Sequence, residues 1–198
     1  MPDELARLIA ALSRPAGDSS DYDLNPAVQL PPGRVLRPAG VLIGLIRVEG
    51  RMRVILTKRA SHLKHHPGQI AFPGGKLEQG DAGLAAAALR EAREEIGLEP
   101  ANVDLFGQLP PHETVTGFAV TPFLGQIRAD FTFRPDPSEV EEVFSVPLAH
   151  LLDSGNYMIE KRLWRGEWRR YYAVPWGPYY IWGATARMLR GLAGRVRG

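Results

Sequence analysis

The chain has 198 residues, of which 44% are hydrophobic and 23% are charged, a composition typical of a soluble globular protein and not of a disordered chain. It contains no cysteine, which excludes disulfide bonds, thiolate metal ligands and a cysteine nucleophile. The formal net charge is only +2, although residues 161–198 carry nine Lys or Arg against one acid. Because the N-terminus is acidic and the longest apolar run is too short to cross a bilayer, we expect a cytoplasmic protein without a membrane partner.

The length favours a single domain spanning residues 1–198, with an N-terminal helix and a proline-rich loop at 1–38 and the main body at 39–198. Leu5, Leu8, Ile9 and Leu12 recur at helical spacing, which predicts a helix over 3–13. Residues 14–38 contain five prolines and are predicted to form an extended connecting loop.

The main body alternates strand and helix patterns. Apolar runs at 40–48 and 52–57 flank a short polar turn and predict a β-hairpin. Further strands are predicted at 103–109, 118–127, 142–146, 157–163 and 170–174, and helices at 82–96, 148–152 and 181–192. Strands mixed with a few helices indicate an α/β or α+β fold in which a mixed sheet is covered on both faces.

The segment at 72–98 is the most informative part of the chain. A glycine-rich loop that includes Gly74 and Gly75 precedes the alanine-rich helix predicted at 82–96. Asp81 is predicted to be the N-cap of this helix and Gly97 its terminator. The loop can therefore present backbone groups to a ligand directly before a helix begins.

Three acids on this helix, Glu91, Glu94 and Glu95, share an arc beside its apolar side. Carboxylates at this spacing repel one another unless a cation lies among them, and Mg²⁺ prefers oxygen ligands of this kind. The alternative is an ordinary solvated helix face on which Arg90 pairs with Glu94. The preceding glycine-rich loop favours the metal interpretation, since such a loop and a carboxylate cluster can hold phosphate and metal together.

This segment resembles the Nudix box, the signature of hydrolases that act on nucleoside diphosphates linked to another moiety. The positions that match are Gly75, Asp81, Arg90, Glu91, Ala92, Glu94, Glu95 and Gly97. Asp81 replaces the usual glutamate, and eight residues instead of seven separate it from Arg90, a spacing that coenzyme A pyrophosphatases of this family share. The resemblance implies a Nudix-type α/β/α sandwich and a site for Mg²⁺, or Mn²⁺ in its place. The implied metal ligands are Glu91, Glu94, Glu95 and the Gly75 carbonyl, with Arg90 orienting the carboxylates.

A second motif lies upstream, where a strand end runs into a cationic loop. Lys58, Arg59 and Lys64 could meet a phosphate that the metal does not neutralise. The segment resembles the signature of coenzyme A pyrophosphatases at Leu56, Thr57, Ala60, Gly68, Phe72, Pro73, Gly74 and Gly75. The substrate-binding residues that we predict here are Lys58, Arg59, Lys64, Gly68, Phe72 and Gly74. The general base is left open among Glu113, Glu139, Glu142 and a glutamate of the Nudix box.

The predicted function is Mg²⁺-dependent cleavage of the diphosphate of coenzyme A, or of a derivative, to 4′-phosphopantetheine and adenosine 3′,5′-bisphosphate. The same chemistry on ADP-ribose, a dinucleotide or an oxidised nucleotide is the first alternative. The second is a binding module without catalysis, which would hold nucleic acid through the basic C-terminal region or sense a nucleotide. Nucleic acid is not the expected partner, because all three box glutamates are present.

Overall fold

A computed structural model describes residues 4–164 and 166–197, apart from the side chain of Trp164. The helices are α1 (Glu4–Leu12), α2 (Leu84–Ile96), α3 (Leu148–Leu152) and α4 (Ala184–Arg197), and 3₁₀ turns lie at Pro100–Asn102 and Ser154–Asn156. The strands are β1 (Ser19–Ser20), β2 (Arg37–Val48), β3 (Arg51–Arg59), β4 (Ile70–Ala71), β5 (Gly74–Lys76), β6 (Val103–Gln108), β7 (His112–Glu113), β8 (Phe118–Ile127), β9 (Val140–Pro147), β10 (Met158–Trp164), β11 (Glu167–Trp176) and β12 (Tyr179–Trp182). Asp3, which the sequence places in the first helix, lies outside the described residues.

The larger sheet has nine strands in the part of the chain that the structure describes, and β2 lies at its centre. β2 runs parallel to β8 and antiparallel to β3, so the sheet is mixed, as the sequence predicts. Strand β9 continues the sheet beyond β3, and β5 pairs with β2 so that Gly75 lies opposite Gly40. The glycine-rich segment is therefore held as a strand against the centre of the sheet.

Both faces of β2 are buried, which explains its nearly continuous apolar sequence. Ile43 and Leu45 belong to the core that α1, α3 and α4 cover, whereas Leu42 and Ile46 pack in a second core with residues of α2. Such a pattern is expected when successive side chains of a strand point to opposite faces. The prediction of a mixed sheet covered by helices on both faces is confirmed.

Helix α2 approaches the sheet closely because β2 carries a glycine where the helix begins. A β-carbon on Gly40 would lie 2.1 Å from the backbone oxygen of Leu84, the first residue of α2. The helix ends as predicted at Gly97, whose backbone is left-handed at φ 73°. Gly40 thus allows α2 to lie close to β2, and Gly97 ends the helix directly after its acidic turn.

Two predicted boundaries are wrong. The C-terminal helix begins at Ala184 and not at residue 181, because Ile181 pairs with Val174 in the smaller sheet, β10-β11-β12, and is buried there. The segment 14–38 is not wholly extended loop, since β1 pairs parallel with β7 and β2 already begins at Arg37.

The ring nitrogens of the fully buried His112 fasten this N-terminal segment to the sheet. They lie 2.9 Å from Ser19 Oγ and 3.1 Å from Asp21 Oδ1. Among the described helices, none combines the length and apolarity needed to cross a membrane.

Candidate functional site

The acidic turn of α2 lies directly against the β5 backbone. The backbone N–H of Gly74 donates to Glu95 Oε2 at 3.2 Å. A β-carbon on Gly75 would lie 2.2 Å from Glu91 Oε1, far inside any real contact. Residue 75 must therefore be glycine, because any side chain there would collide with the carboxylate of Glu91.

Three carboxylates converge at this point. One carboxylate oxygen from each of Glu91, Glu95 and Glu139 lies within 4.8 Å of the other two. Glu95 is buried at 5% exposure, Glu91 is half-buried and Glu139, just before β9, is exposed. We call this group the carboxylate cluster. Its ligand chemistry, all oxygen and formally trianionic, fits a hard divalent cation such as Mg²⁺.

Two carboxyls of the carboxylate cluster have raised pKa values, so their negative charge is poorly compensated. Burial and the neighbouring Glu91 raise the pKa of Glu95 to about 8, although the Gly74 N–H bond acts in the opposite direction. Burial also raises the pKa of Glu91, and the adjacent Arg90 opposes that shift. Crowded carboxylates with raised pKa values are typical of a site that a cation completes.

Arg90 connects the carboxylate cluster to the loop before α2. Its guanidinium donates to both carboxylate oxygens of Asp81, at 3.0 and 3.1 Å, and to Glu94 Oε2 at 2.9 Å, and it lies 3.1 Å from Glu91 Oε1. The bidentate bond to Asp81 is the strongest geometry available to arginine. Arg90 therefore contacts the same carboxylate oxygen of Glu91 that a β-carbon at residue 75 would meet.

The structure corrects the role of Asp81. It is not the N-cap of α2, because the helix begins at Leu84 after Gly83, which makes no side-chain cap. The Asp81 carboxylate instead accepts from Arg90 and from the backbone N–H of Glu78. Arg90, a stronger donor than a helix N-terminus, holds the pKa of Asp81 below its usual value.

Glu94 lies apart from the other two acids of its helix. Its side chain is 56% exposed and its described partner is Arg90, so it does not join the carboxylate cluster. The pairing that the sequence offers as an alternative to a metal ligand is thus the one observed for Glu94. Its assignment as a ligand remains a prediction.

The three cations of the cationic loop lie in different environments. Lys58 Nζ lies 2.6 Å from Glu141 Oε1, so its charge is already balanced. Arg59 lies close enough to Glu95 to lower the pKa of that carboxyl, and the buried Arg59 Nε has no hydrogen-bond partner among the described residues. Lys64 is exposed. Of the three cations of this loop, Arg59 is therefore the one whose charge acts on the Glu95 carboxyl.

Two other residues of the loop have structural roles. The side chain of Phe72 is 3% exposed and packs in the core, which leaves its backbone as the group that a substrate would contact, and its assignment as a substrate-binding residue stays a prediction. Gly68 has φ 67° and donates its N–H to the Arg59 carbonyl, which closes the loop beneath Arg59.

Among the three acids outside the Nudix box that were considered as general base, Glu139 is the one that joins Glu91 and Glu95 in the carboxylate cluster. Glu113 forms an ion pair with Arg34, and Glu142 accepts a hydrogen bond from Tyr179. Sequence reasoning assigned no role to Glu141, which holds Lys58. The residues near Glu141 in the sequence do not predict its contact with Lys58, because that contact depends on the pairing of β3 with β9.

The chain is similar to several known proteins. A family model described as the NUDIX domain matches residues 36–167. Over 157 residues, 79% of this chain and 81% of the relative, the sequence is 45% identical to a protein of Enterobacter sp. (strain 638) named uncharacterized Nudix hydrolase NudL. The Escherichia coli (strain SMS-3-5 / SECEC) protein of the same name is 43% identical over the same shares. A more distant solved structure, an Ap4A hydrolase binary complex from C. elegans, is 18% identical with a TM-score of 0.48 and covers 58% of this chain and 82% of its own.

Proposed function

This chain belongs to the Nudix hydrolase family and is a pyrophosphohydrolase, and from that premise we propose that its substrate is coenzyme A or a close derivative. The observation that carries the proposal is the position of Arg59. Its charge lowers the pKa of the Glu95 carboxyl in the carboxylate cluster, and its buried Nε has no hydrogen-bond partner among the described residues. A diphosphate that carries a further phosphate would meet both the cluster and this cation.

Glu91, Glu95 and Glu139 are the residues that would hold the divalent cation that this family requires, with the Gly75 carbonyl and Glu94 as further predicted ligands. Mg²⁺ is the ion that we propose, with Mn²⁺ as its alternative. When bound, the ion supplies positive charge against the charge that develops on the phosphoryl oxygens. The oxygen-only donor set supports this choice of a hard cation.

The residues of the chain would divide the remaining work. Arg59 would donate to a phosphoryl oxygen, and Arg90 would keep Glu91 in position through Asp81. Water attacks one phosphorus of the diphosphate, the bridging P–O bond breaks, and a carboxylate accepts the proton that the water loses. Glu139 is the exposed member of the carboxylate cluster, so it is our candidate for that base. The products would be 4′-phosphopantetheine and adenosine 3′,5′-bisphosphate.

ADP-ribose, a dinucleotide or an oxidised nucleotide would undergo the same bond cleavage and remain the alternative substrates. They lack the 3′-phosphate of coenzyme A, which is the group that gives the cationic loop a function. A module that binds without catalysis has no support, because the chain is a hydrolase. Cytoplasmic location stays a prediction.

The test is product analysis by mass spectrometry after the protein is incubated separately with coenzyme A, ADP-ribose and NADH in Mg²⁺ or Mn²⁺. We expect adenosine 3′,5′-bisphosphate from coenzyme A at the highest kcat/KM. The matched control is Glu91→Gln, which keeps the side-chain volume and removes the charge. Faster cleavage of ADP-ribose or NADH than of coenzyme A would reject the proposed substrate and keep the enzyme class.

A further inference from the structure

Strand β10 forms one edge of the smaller sheet. It pairs with β11, and in the described part of the chain no other strand pairs with it. Residues 158–163 are all exposed, including Ile159 at 55% and Leu163 at 58%. A regular seven-residue edge with apolar side chains presents unpaired backbone groups that another strand can use.

The charges on this edge are unbalanced within the chain. Arg162 lies opposite Arg169 across the hairpin, and Lys161 lies opposite Arg170. Like charges directly opposite each other on adjacent strands are destabilising. Among the described residues, neither Glu160 nor Arg162 forms an ion pair, although they flank Lys161 on the same strand.

We propose that β10 pairs antiparallel with β10 of a second copy of this chain, with Lys161 on the two-fold axis. In this register Glu160 of each copy lies opposite Arg162 of the other, which forms two symmetric ion pairs. Ile159 likewise lies opposite Leu163 on the other face, so the exposed apolar side chains cover one another. The partner that we propose for this strand edge is therefore the same strand of a second copy of the chain.

Other symmetric registers lose this complementarity. A two-fold axis at Glu160 would oppose the two Glu160 carboxylates and set Ile159 against Lys161. An axis at Arg162 would oppose the two Arg162 guanidinium groups and set Lys161 against Leu163. A shift by one residue also moves side chains to the wrong face, so the register centred on Lys161 is specified.

Lys161 itself meets its copy at the axis, where two ammonium groups would repel. Its Nζ lies 5.2 Å from the centroid of the Trp168 ring on its own hairpin, a cation–π contact that draws the charge towards β11. The long side chain keeps its ammonium hydrated while its stem lies along the strand. The two ammonium groups can therefore lie apart, each drawn towards Trp168 of its own hairpin.

Charge reversal tests the pairing. We expect sedimentation velocity at about 100 µM to give a mass near twice 21.9 kDa for the wild type. Glu160→Arg should weaken dimerisation about tenfold or more because it sets arginine against Arg162 of the other copy. Arg162→Glu should do the same, and the double variant should restore the dimer. A monomeric wild type, or a double variant no better than either single variant, would overturn the proposal.

Cysteine cross-linking tests the register, and the chain has no native cysteine to interfere. Directly opposed residues of an antiparallel pair bring their Cα atoms to roughly 4.5–5.5 Å, within reach of a disulfide. Lys161→Cys should therefore form a covalent dimer under mild oxidation. Ile159→Cys is the matched control, since its two copies would be about 13 Å apart along the strands. Equal cross-linking of both variants would contradict the register.

Discussion

The carboxylate of Glu91 occupies the space in which residue 75 would otherwise carry a side chain: a β-carbon there would lie 2.2 Å from Glu91 Oε1. The guanidinium of Arg90 lies 3.1 Å from the same oxygen. The position of Glu91 is therefore defined by a glycine and a guanidinium together. This relationship makes residue 75 a sensitive probe of the carboxylate cluster.

We expect Gly75→Ala to displace Glu91 and to lower kcat/KM for coenzyme A about 100-fold, because a ligand moved by about 1 Å no longer meets the reacting group. Mg²⁺ should also stabilise the variant less in a thermal shift measurement. The control is Gly17→Ala, since nothing lies within 4 Å of a β-carbon on Gly17. If Gly75→Ala kept full activity, Glu91 would not hold the position that we assign to it.

The raised pKa of Glu95 predicts a pH-dependent stability in the absence of metal. The pKa is about 8 in the folded protein against an ordinary 4.5, so between these pH values the folded state binds more protons than the unfolded state. The free energy of unfolding contributed by this group is therefore fully present below about pH 4.5 and is lost as pH rises through about 8. The slope would be at most about 1.4 kcal/mol per pH unit.

Glu95→Gln should flatten this dependence when unfolding by urea is measured in EDTA between pH 5 and pH 8. The variant should also lose most activity, because a neutral amide is a poor metal ligand. Glu99→Gln, an exposed glutamate near the end of the same helix, is the control and should keep the wild-type slope. Identical slopes for the wild type and Glu95→Gln would show that Glu95 does not carry the shifted titration.

Arg90→Lys should lower kcat/KM by about 10–100-fold, the usual effect of losing a residue that orients a ligand. Lysine keeps the charge but cannot make the bidentate bond to Asp81 while it also reaches Glu91 and Glu94. Metal titration followed by thermal shift should separate this loss from unfolding. The control is Arg93→Lys, an exposed change on the same helix, which should leave both measurements unchanged.

Dephospho-coenzyme A tests whether the cationic loop binds the 3′-phosphate. A charge-assisted hydrogen bond to that phosphate would be worth roughly 1.5–3 kcal/mol, or about one to two decades in kcat/KM. The wild type should cleave dephospho-coenzyme A more slowly by that factor, and Arg59→Ala or Lys64→Ala should erase part of the difference. Lys58→Ala should have a smaller effect, because Glu141 already balances that charge.

Arg51→Ala is the control for this comparison, since Arg51 is exposed at the start of β3, beside the turn of the β2–β3 hairpin. Equal rates on coenzyme A and dephospho-coenzyme A in the wild type would exclude recognition of the 3′-phosphate. The cationic loop would then be assigned to the diphosphate or to support of β5.

Local order along the chain was accessible from the sequence by itself. Side-chain periodicity predicts the hairpin of β2 and β3 and the three acids beside the apolar stripe of α2. The conformational preference of glycine predicts that α2 ends at Gly97. Both signals depend only on residues close together in the sequence. The two motifs also place a cationic loop upstream of the glycine-rich segment and the acidic helix. These features need no knowledge of distant contacts.

Only the tertiary structure decided which of those acids work together. Helical spacing places Glu94 beside Glu91 and Glu95, but packing of α2 against β2 and β5 turns Glu95 inwards and leaves Glu94 in solvent with Arg90. Glu139 completes the carboxylate cluster from a later segment of the chain because β9 pairs with β3. Burial of Phe72 was likewise invisible in its motif. Sequence spacing specifies which way a side chain points on its own helix or strand. Whether side chains from different elements meet depends on strand pairing and helix packing between residues far apart in the chain.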